Sequence, residues 1–438
     1  MLEKISQIKR SNFVKNVTIV ASGTAFAQLV AMLSTPIIAR LYGPENMGIL
    51  GVFVAMAAIV TKISALTYPV AIVLPNRDDD ARSLVYASIY ISLIFASLTT
   101  FIIYFFNDAI INIFNLGDIT SFLFFIPIII VFSALLQVAQ QWLIRKQLFK
   151  LTAKSVIYKT VIVNSSKIVL GLINPIAFIL VLLTSIGYLL HTLLIIINLK
   201  LDDKVKGLLN GVNHKNMISL LKSYRDFPLY RAPQELVNGI ASSLPILMLS
   251  IFFGPAFAGF YTISRTVLKM PTELLGKSIG DVFYPRITQA ANNGENIAKL
   301  LVKATTALAV VGIVPFSIII LFGPWIFELV FGSDWGQAGE YARWLSIWLF
   351  FGFINRPSVK SIPVLKLQGS FLIYEILSTA IRAGALFIGF LLYNDDLLAI
   401  ILMSVFAALL NLFLIVFTYH QARKYDQNNL ELHNSTKQ

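Results

Sequence analysis

Long apolar runs separated by short polar turns follow one another along the whole chain. Charged positions are rare within each run, and each run is about as long as the 20 residues that a helix needs to cross a bilayer. These runs predict twelve membrane-spanning helices. They cover residues 16–39, 46–75, 82–106, 119–143, 152–173, 175–198, 227–252, 257–284, 297–322, 338–356, 367–392 and 395–420.

The second half of the chain repeats features of the first half. "LYGPENMG" (41–48) and "FFGPAFAG" (252–259) lie about half the chain length apart. "IVLPN" (72–76) and "VFYPR" (282–286) each close the second span of a half. The spacing predicts a duplicated six-helix unit, with both copies in the same orientation about an axis along the membrane normal.

The predicted fold is therefore an all-α polytopic membrane protein of two six-helix bundles related by a pseudo-twofold axis. The longest segment between spans is rich in lysine and lies at mid-chain, which is typical of a cytoplasmic linker. The polar C-terminus predicts a disordered tail. The predicted boundaries are 1–198 for the N-terminal bundle, 199–226 for the linker, 227–420 for the C-terminal bundle and 421–438 for a cytoplasmic tail.

The repeated Gly-Pro motif has a structural interpretation. Proline suits the first position of a helix, and the preceding glycine permits a tight turn, so Pro44 and Pro255 are predicted to open helices. Gly48 and Gly259 follow one turn later, where a small residue lets a neighbouring helix approach closely.

Composition and charge support a membrane protein and give it an orientation. Hydrophobic residues make up 57% of the chain, charged residues 13%, and the mean hydropathy is +0.77. Most of the 35 lysines and arginines fall in the termini and the even-numbered loops, so both termini are predicted to be cytoplasmic. The net charge of +13 thus reflects orientation and does not indicate nucleic-acid binding. The chain contains no cysteine, which excludes disulfides and thiolate metal sites.

Ionisable residues within the spans are the best candidates for function, because each costs about 3 kcal/mol at a helix centre unless it faces protein or water. Basic residues exceed acidic ones there, which suits an anionic group such as diphosphate. The predicted substrate-binding residues are Arg265, Lys269, Lys62, Arg231, Lys159 and Arg382, and the predicted ion-coupling residues are Glu273, Glu235 and Glu375.

These assignments have structural alternatives. Arg265, Lys269 and Glu273 follow at i+4 spacing and could form a self-neutralising ladder on one helix face. Arg231 lies near a span end and could extend to the membrane interface. Lys62 falls near the middle of its predicted span. Arg382 shares a helix face with Glu375, which predicts an internal ion pair. Structural pairing competes with ion coupling for each carboxylate.

Several segments resemble one known family. "ARLYGPENMGILGVF", "YPVAIVLPNRDDDARSL", "FFGPAFAGFYTISRTVLKMPTELLGKSIGDVFYPRI" and "LFGPWIFELVFGSDW" are similar to segments of the polysaccharide-export family of bacterial O-antigen and capsule flippases. This family belongs to the multidrug/oligosaccharidyl-lipid/polysaccharide superfamily. The resemblance spans most of residues 12–360 and implies a central cavity with alternating access. Flippases of the peptidoglycan precursor commonly have fourteen helices, so twelve predicted spans count against that closer assignment.

The resemblance implies a flippase of undecaprenyl-diphosphate-linked oligosaccharide in the bacterial inner membrane, serving O-antigen of lipopolysaccharide or capsule. Expected partners are this lipid-linked substrate, membrane lipid, H⁺ or Na⁺, and a polysaccharide polymerase with chain-length machinery; no cofactor is expected. A cation-coupled multidrug exporter of the superfamily is the main alternative. A membrane glycosyltransferase or polymerase is disfavoured because the outer loops are short and hold no catalytic motif, so an enzyme is not expected.

The predicted topology can be tested by cysteine labelling, since the chain has no native thiol. Single cysteines near residues 110, 255 and 395 should react with a membrane-impermeant reagent in spheroplasts. Cysteines at 77, 210 and 430 should react only after permeabilisation. Labelling at 210 from the outer face would contradict the predicted orientation.

Overall fold

The computed structural model describes residues 12–114, 120–201 and 214–435, and every regular element in these ranges is helical. The chain divides into two compact units, Met1–Gly259 and Phe260–Gln438. Residues 202–213 of the predicted linker lie outside the described part. The predicted domain boundaries therefore remain predictions.

The first unit is built from long helices joined by shorter helical segments. The short segments are a 3-10 helix (Tyr68–Val73), a one-turn helix (Thr120–Leu123) and a π-helix (Phe227–Arg231). The main helices are α1 (Asn12–Thr61), α2 (Asp78–Phe114), α3 (Phe125–Arg145), α4 (Phe149–Ile173), α5 (Ala177–Leu201), α6 (His214–Ser223), α7 (Ala232–Phe253) and the first turn of α8 (Pro255–Asn292).

The second unit contains the rest of α8 and the helices that follow it. A 3-10 turn (Ser333–Trp335) precedes α10, and a π-helix (Gly389–Tyr393) follows α12. The further helices are α9 (Ile297–Phe331), α10 (Gly336–Ile354), α11 (Arg356–Ser361), α12 (Gln368–Ile388) and α13 (Asp396–Ser435).

Helix length and surface composition both indicate a multi-pass membrane protein. Nine helices in the described ranges are long and apolar enough to cross a membrane. Large apolar side chains are exposed on them, among them Leu33 at 74% and Ile173 at 77%, and exposure on this scale fits a lipid-facing surface. Each predicted span overlaps a helix, but α1 includes two of them, joined at Gly43 with φ 72°.

The prediction that Lys62 lies near the middle of a continuous span is wrong. Helix α1 ends at Thr61, turns follow, and a 3-10 helix begins at Tyr68. Leu66 and Thr67 adopt positive φ angles of 49° and 59°, which no α-helix accommodates. Pro69 lies at the start of this 3-10 helix, where its missing N–H leaves no helical hydrogen bond unmade.

The prediction of a disordered tail is wrong for the described residues, which end at Ser435. Helix α13 continues through Ser435, and the sequence from 421 to 435 contains no glycine or proline that would end it. Asp426 on this extension accepts hydrogen bonds from the backbone N–H groups of Ile297 and Ala298, both at 2.9 Å. The carboxylate thereby caps the N-terminus of α9.

Arg145 holds part of the acidic run at 76–80 in place. The Arg145 guanidinium donates to the carbonyl oxygens of Pro75 (2.6 Å) and Ile72 (3.1 Å) and to Asp78 Oδ1 (3.0 Å). Lys146 Nζ lies 2.6 Å from Asp78 Oδ2. Five donors in a fixed fork allow one arginine to order the whole turn before α2.

The two Gly-Pro motifs pack directly against each other within the first unit. A Cβ atom at Gly48 would overlap the carbonyl oxygen of Pro255 and lie 2.9 Å from Gly259 N. Reciprocally, a Cβ at Gly259 would overlap the carbonyl oxygen of Pro44 and lie 3.0 Å from Gly48 N. The predicted close approach is confirmed, and its partner is the other copy of the motif.

This contact predicts a sharp sensitivity to one methyl group. Gly48→Ala and Gly259→Ala should each lower stability by about 1–3 kcal/mol, because backbone rather than a flexible side chain must move. The measurement is the melting temperature of the purified protein in detergent. Gly384→Ala on α12 is the control, since nothing lies within 4 Å of a Cβ there, and it should be neutral or stabilising. Equal effects at all three positions would contradict the packing.

Candidate functional site

Two interruptions of regular helix meet in the first unit. Lys62 opens the turns after α1, and Thr67 Oγ1, at their end, donates to the carbonyl oxygen of Phe227 at 3.0 Å. Phe227 begins the π-helix that leads into α7. Irregular backbone within a membrane protein is tolerated where it is buried in protein or lines a watery cavity, and π-helical turns are frequent at functional sites.

Lys62 and Glu235 form an ion pair across these interruptions. Lys62 Nζ lies 3.6 Å from Glu235 Oε2, and the two side chains are 36% and 35% exposed. The pair is thus accessible and loosely held. Sequence reasoning placed both residues among the candidates but did not predict that they pair with each other.

A polar surface extends from this pair along α7 and the π-helix. Arg231, Gln234 and Asn238 are exposed, and they recur at the spacing of one helix face with Glu235 among them. They line a cleft of about 480 Å³. Since the span Phe227–Phe253 is otherwise apolar, this stripe is suited to face water or a polar ligand. Arg231 therefore belongs with Lys62 and Glu235.

The second unit has its own polar cluster, centred on Arg382 of α12. The Arg382 guanidinium lies 5.5 Å from the centre of the Trp348 ring. Its Nε donates to the Ser378 carbonyl at 3.1 Å and its Nη2 to Thr379 Oγ1 at 3.2 Å. Glu375 lines the same cavity as Arg382.

The predicted ion pair between Arg382 and Glu375 is not formed among the described residues, where no contact of the two lies within 4.0 Å. Although the residues share a helix face, Arg382 hydrogen-bonds to its own helix and stacks on Trp348 instead. Glu375 is exposed and is left to interact with Arg382 at longer range.

Two of the helix α8 candidates lie in the described part. Arg265 is half-buried and Lys269 is exposed. Arg265 and Arg382 both lie within electrostatic reach of the buried Tyr261 hydroxyl, so α8 and α12 direct cationic groups to one region of the second unit. The side chain of Glu273 lies outside the described part, and the predicted ladder is untested beyond Lys269.

Lys159 belongs to a different location. Its Cε atom packs near Gly187 of α5, and its charge is within reach of Lys167 and His191. No group of three His, Asp or Glu side chains in the described ranges could hold a metal ion.

Neutral amides in the two clusters escaped the sequence reasoning. Gln234 and Asn238 lie on the α7 stripe, while Asn355 and Asn411 line the cavity beside Arg382. A search restricted to ionisable residues passes over them. For Gln234 and Asn238 the available signal was two amides at i+4 spacing inside an apolar span.

Comparison with known proteins assigns both a family and a fold. Residues 37–340 match the family described as "Polysaccharide biosynthesis protein". No curated relative matches the chain significantly.

Several solved structures share the fold at low sequence identity. The lipid II flippase MurJ in an inward closed conformation superposes with a TM-score of 0.70 at 16% identity, covering 94% of this chain and 91% of the flippase. An inward-facing multidrug resistance MATE family transporter of the MOP superfamily gives a TM-score of 0.66 at 13% identity, covering 91% and 96%. The chain thus has the fold of membrane transporters.

The Lys62–Glu235 pair predicts non-additive effects on stability. Lys62→Met or Glu235→Gln alone leaves one charge uncompensated beside a membrane span, whereas the double variant leaves none. We expect each single variant to melt lower than the double variant, with a coupling of about 0.2–1 kcal/mol because the pair is partly exposed. Arg77→Met, which removes one member of the far more exposed pair Arg77–Asp79 (3.7 Å apart), is the control and should be near neutral. Strictly additive shifts at Lys62 and Glu235 would argue against the pair.

Proposed function

Because the chain belongs to the family of polysaccharide biosynthesis proteins and has a transporter fold, we propose that it is a lipid-linked oligosaccharide flippase. Its substrate is an undecaprenyl-diphosphate-linked repeat unit of O-antigen, capsule or another exopolysaccharide. The protein moves the head group from the cytoplasmic to the outer leaflet by alternating access, while the lipid tail stays in the bilayer.

The observation that carries this proposal is the exposed polar stripe on α7 and the π-helix before it. Arg231 and Lys62 offer positive charge for a diphosphate, of which arginine can bind two oxygens at once. Gln234 and Asn238 offer both donors and acceptors, which suits sugar hydroxyls. Such a surface in an apolar helix has little use in a protein that handles only apolar molecules.

Cationic residues in the second unit extend the same chemistry. Arg265 and Arg382 are directed to one region, and Lys269 is exposed beside them on α8. We assign Arg265 and Lys269 to the diphosphate and Arg382 to its neighbouring sugars. Lys159 remains a weaker candidate because it packs against α5.

Ion coupling is assigned to membrane carboxylates. We assign coupling to Glu235. A diphosphate that binds Lys62 leaves the Glu235 carboxylate without its partner, and this favours binding of H⁺ or Na⁺ to the carboxylate. Glu375 has no basic partner within 4.0 Å in the described part and is accessible. Glu273 is the third candidate by sequence alone.

A cation-coupled multidrug exporter is the second candidate, favoured by the likeness to a MATE transporter. Exported drugs of that kind are commonly cationic and need unpaired carboxylates in the cavity. Here the carboxylate of the α7 stripe is paired with Lys62, and arginine accompanies it. The charges around the cleft, which are Lys62, Arg231, Asp226 and Glu235, balance, so the cleft has no excess of negative charge for a cationic drug.

The proposal includes a location and partners. We place the protein in the bacterial inner membrane with both termini cytoplasmic, in agreement with the distribution of its basic loops. A polysaccharide polymerase with its chain-length machinery would consume the flipped repeat unit on the outer face. Membrane lipid and the lipid-linked oligosaccharide are the direct contacts.

Deletion of the gene should leave lipid-linked repeat units inside the cell and remove surface polysaccharide. In the deletion strain, Arg265→Ala and Lys269→Ala should each reduce surface polysaccharide by about 10- to 100-fold, the loss expected for one charged hydrogen bond. Arg265→Lys should retain partial activity, because charge remains although the bidentate fork is lost. The measurements are gel analysis of surface polysaccharide and quantification of extracted lipid-linked intermediates.

Membrane abundance must be matched across these variants. Lys303→Ala on α9, exposed and outside both clusters, is the charge-loss control and should export normally. Rescue of Lys269→Ala by removal of Glu273 would indicate a structural ladder instead of an anion site. Normal polysaccharide with altered drug tolerance in the deletion strain would favour the exporter.

A further inference from the structure

A cavity of about 270 Å³ lies inside the second unit, between α8, α10, α11, α12 and α13. Its wall combines aromatic rings, amides and charged groups. The wall includes Trp348, Asn355, Arg356, Tyr374, Glu375, Arg382 and Asn411. A water molecule occupies about 30 Å³ in the liquid, so the cavity has room for a ring-sized organic group.

One buried acceptor in this wall is unpaired. Asn355 is 2% exposed, and its Oδ1 accepts no hydrogen bond from any residue that the structure describes. This oxygen is buried away from the cavity space as well as from other donors, so the Asn355 amide is part of the wall and not a ligand contact.

The hydrogen-bond chain fixes the orientation of the Asn355 amide. Asn411 Nδ2 donates to the Ala407 carbonyl at 2.8 Å. Asn411 therefore turns its Oδ1 towards Asn355, whose Nδ2 donates to it at 2.9 Å. The paired amides therefore hold each other in one orientation and form a fixed polar part of the wall.

The charges of the cavity disfavour both a metal cation and a phosphate. Arg356 and Arg382 line it against one carboxylate, Glu375, and the excess of positive charge repels a cation. Glu375 in turn repels a phosphate. A neutral ligand that both donates and accepts hydrogen bonds satisfies all of these groups together.

We propose that this cavity is a subsite for one sugar ring of the transported oligosaccharide. Ring hydroxyls donate to Glu375 and accept from Arg356 or Arg382. The C–H face of the ring packs on the aromatic side chains Trp348 and Tyr374. Apolar rings with a few fixed polar groups are the usual composition of a small-molecule pocket. The inference rests on the proposed flippase function and deepens it by naming where the sugar is held.

Gly352 provides a probe inside the cavity. It lines the wall, and the nearest atoms to a Cβ there are those of the Asn411 amide at 4.0 Å, so a cysteine fits without displacement. Because the chain has no other thiol, Gly352→Cys can be labelled selectively with a small methanethiosulfonate in the purified full-length protein.

The expected result is sugar protection. Methyl glycosides of hexoses, N-acetylhexosamines, deoxyhexoses and hexuronic acids are added in turn at high concentration. At least one should slow labelling of Gly352→Cys severalfold, and none should slow labelling of Gly384→Cys, which lies in open space on α12. If no glycoside protects, the subsite is wrong. The subsite is also wrong if no glycoside slows labelling but pyrophosphate does, or if labelling is slower in sodium chloride than in choline chloride.

A second measurement covers a poorly accessible thiol. The protecting glycosides should change the tryptophan fluorescence of the wild-type protein, and Trp348→Phe should abolish that change. If the thiol at position 352 does not react with the reagent at all, the absence of a fluorescence change with every glycoside overturns the subsite.

The two proposals fail in different ways. Sugar protection combined with normal surface polysaccharide in the deletion strain would reject the flippase while leaving a sugar-binding cavity. Loss of surface polysaccharide on deletion, without protection by any glycoside, would reject the subsite alone.

Discussion

A bilayer core contains no water, so every backbone N–H and C=O group within it must find a partner in the protein. Helices meet this demand by themselves, which explains why every regular element among the described residues is helical. Where α1 stops at Thr61, the freed carbonyl accepts from Gln137 Nε2 at 3.1 Å and from Ser64 Oγ at 2.9 Å. Thr67 in turn ties the break to Phe227. The irregular backbone beside Lys62 persists because neighbouring side chains satisfy it.

The two Gly-Pro motifs bring their helices close together because their glycines have no side chain at the contact. Dispersion between closely packed backbones is a main source of helix association in lipid, because no hydrophobic driving force acts between helices there. Gly48 and Gly259 remove the Cβ atoms that would separate their helices, and Pro44 and Pro255 present carbonyl oxygens at the contact. The sequence predicts two separate turns, but the structure brings the two motifs together in one helix–helix contact.

Features set by local chemistry were predictable from the sequence, and features set by tertiary partners were not. Apolar length predicted the helices, and glycine spacing predicted the close approach at Gly48. The break after Thr61 depends on hydrogen bonds from α3, which no local pattern reveals. Arg382 shares a face with Glu375 as predicted, yet Trp348 and the α12 backbone compete for its guanidinium. The amide of Asn355 was missed because its importance comes from burial.

The geometry separates charges that hold the fold from charges that can serve a substrate. Arg145 is 11% exposed and bound to a carboxylate and several carbonyl oxygens, so its release would leave many acceptors unpaired. Lys62 and Glu235 are 3.6 Å apart and about one-third exposed, and a pair of this kind is worth at most about 1 kcal/mol. If the protein is the proposed flippase, a diphosphate would displace Glu235 from Lys62 at little cost. A transporter must release what it binds, and a weak resident counter-ion that returns after each cycle lowers the affinity enough for release.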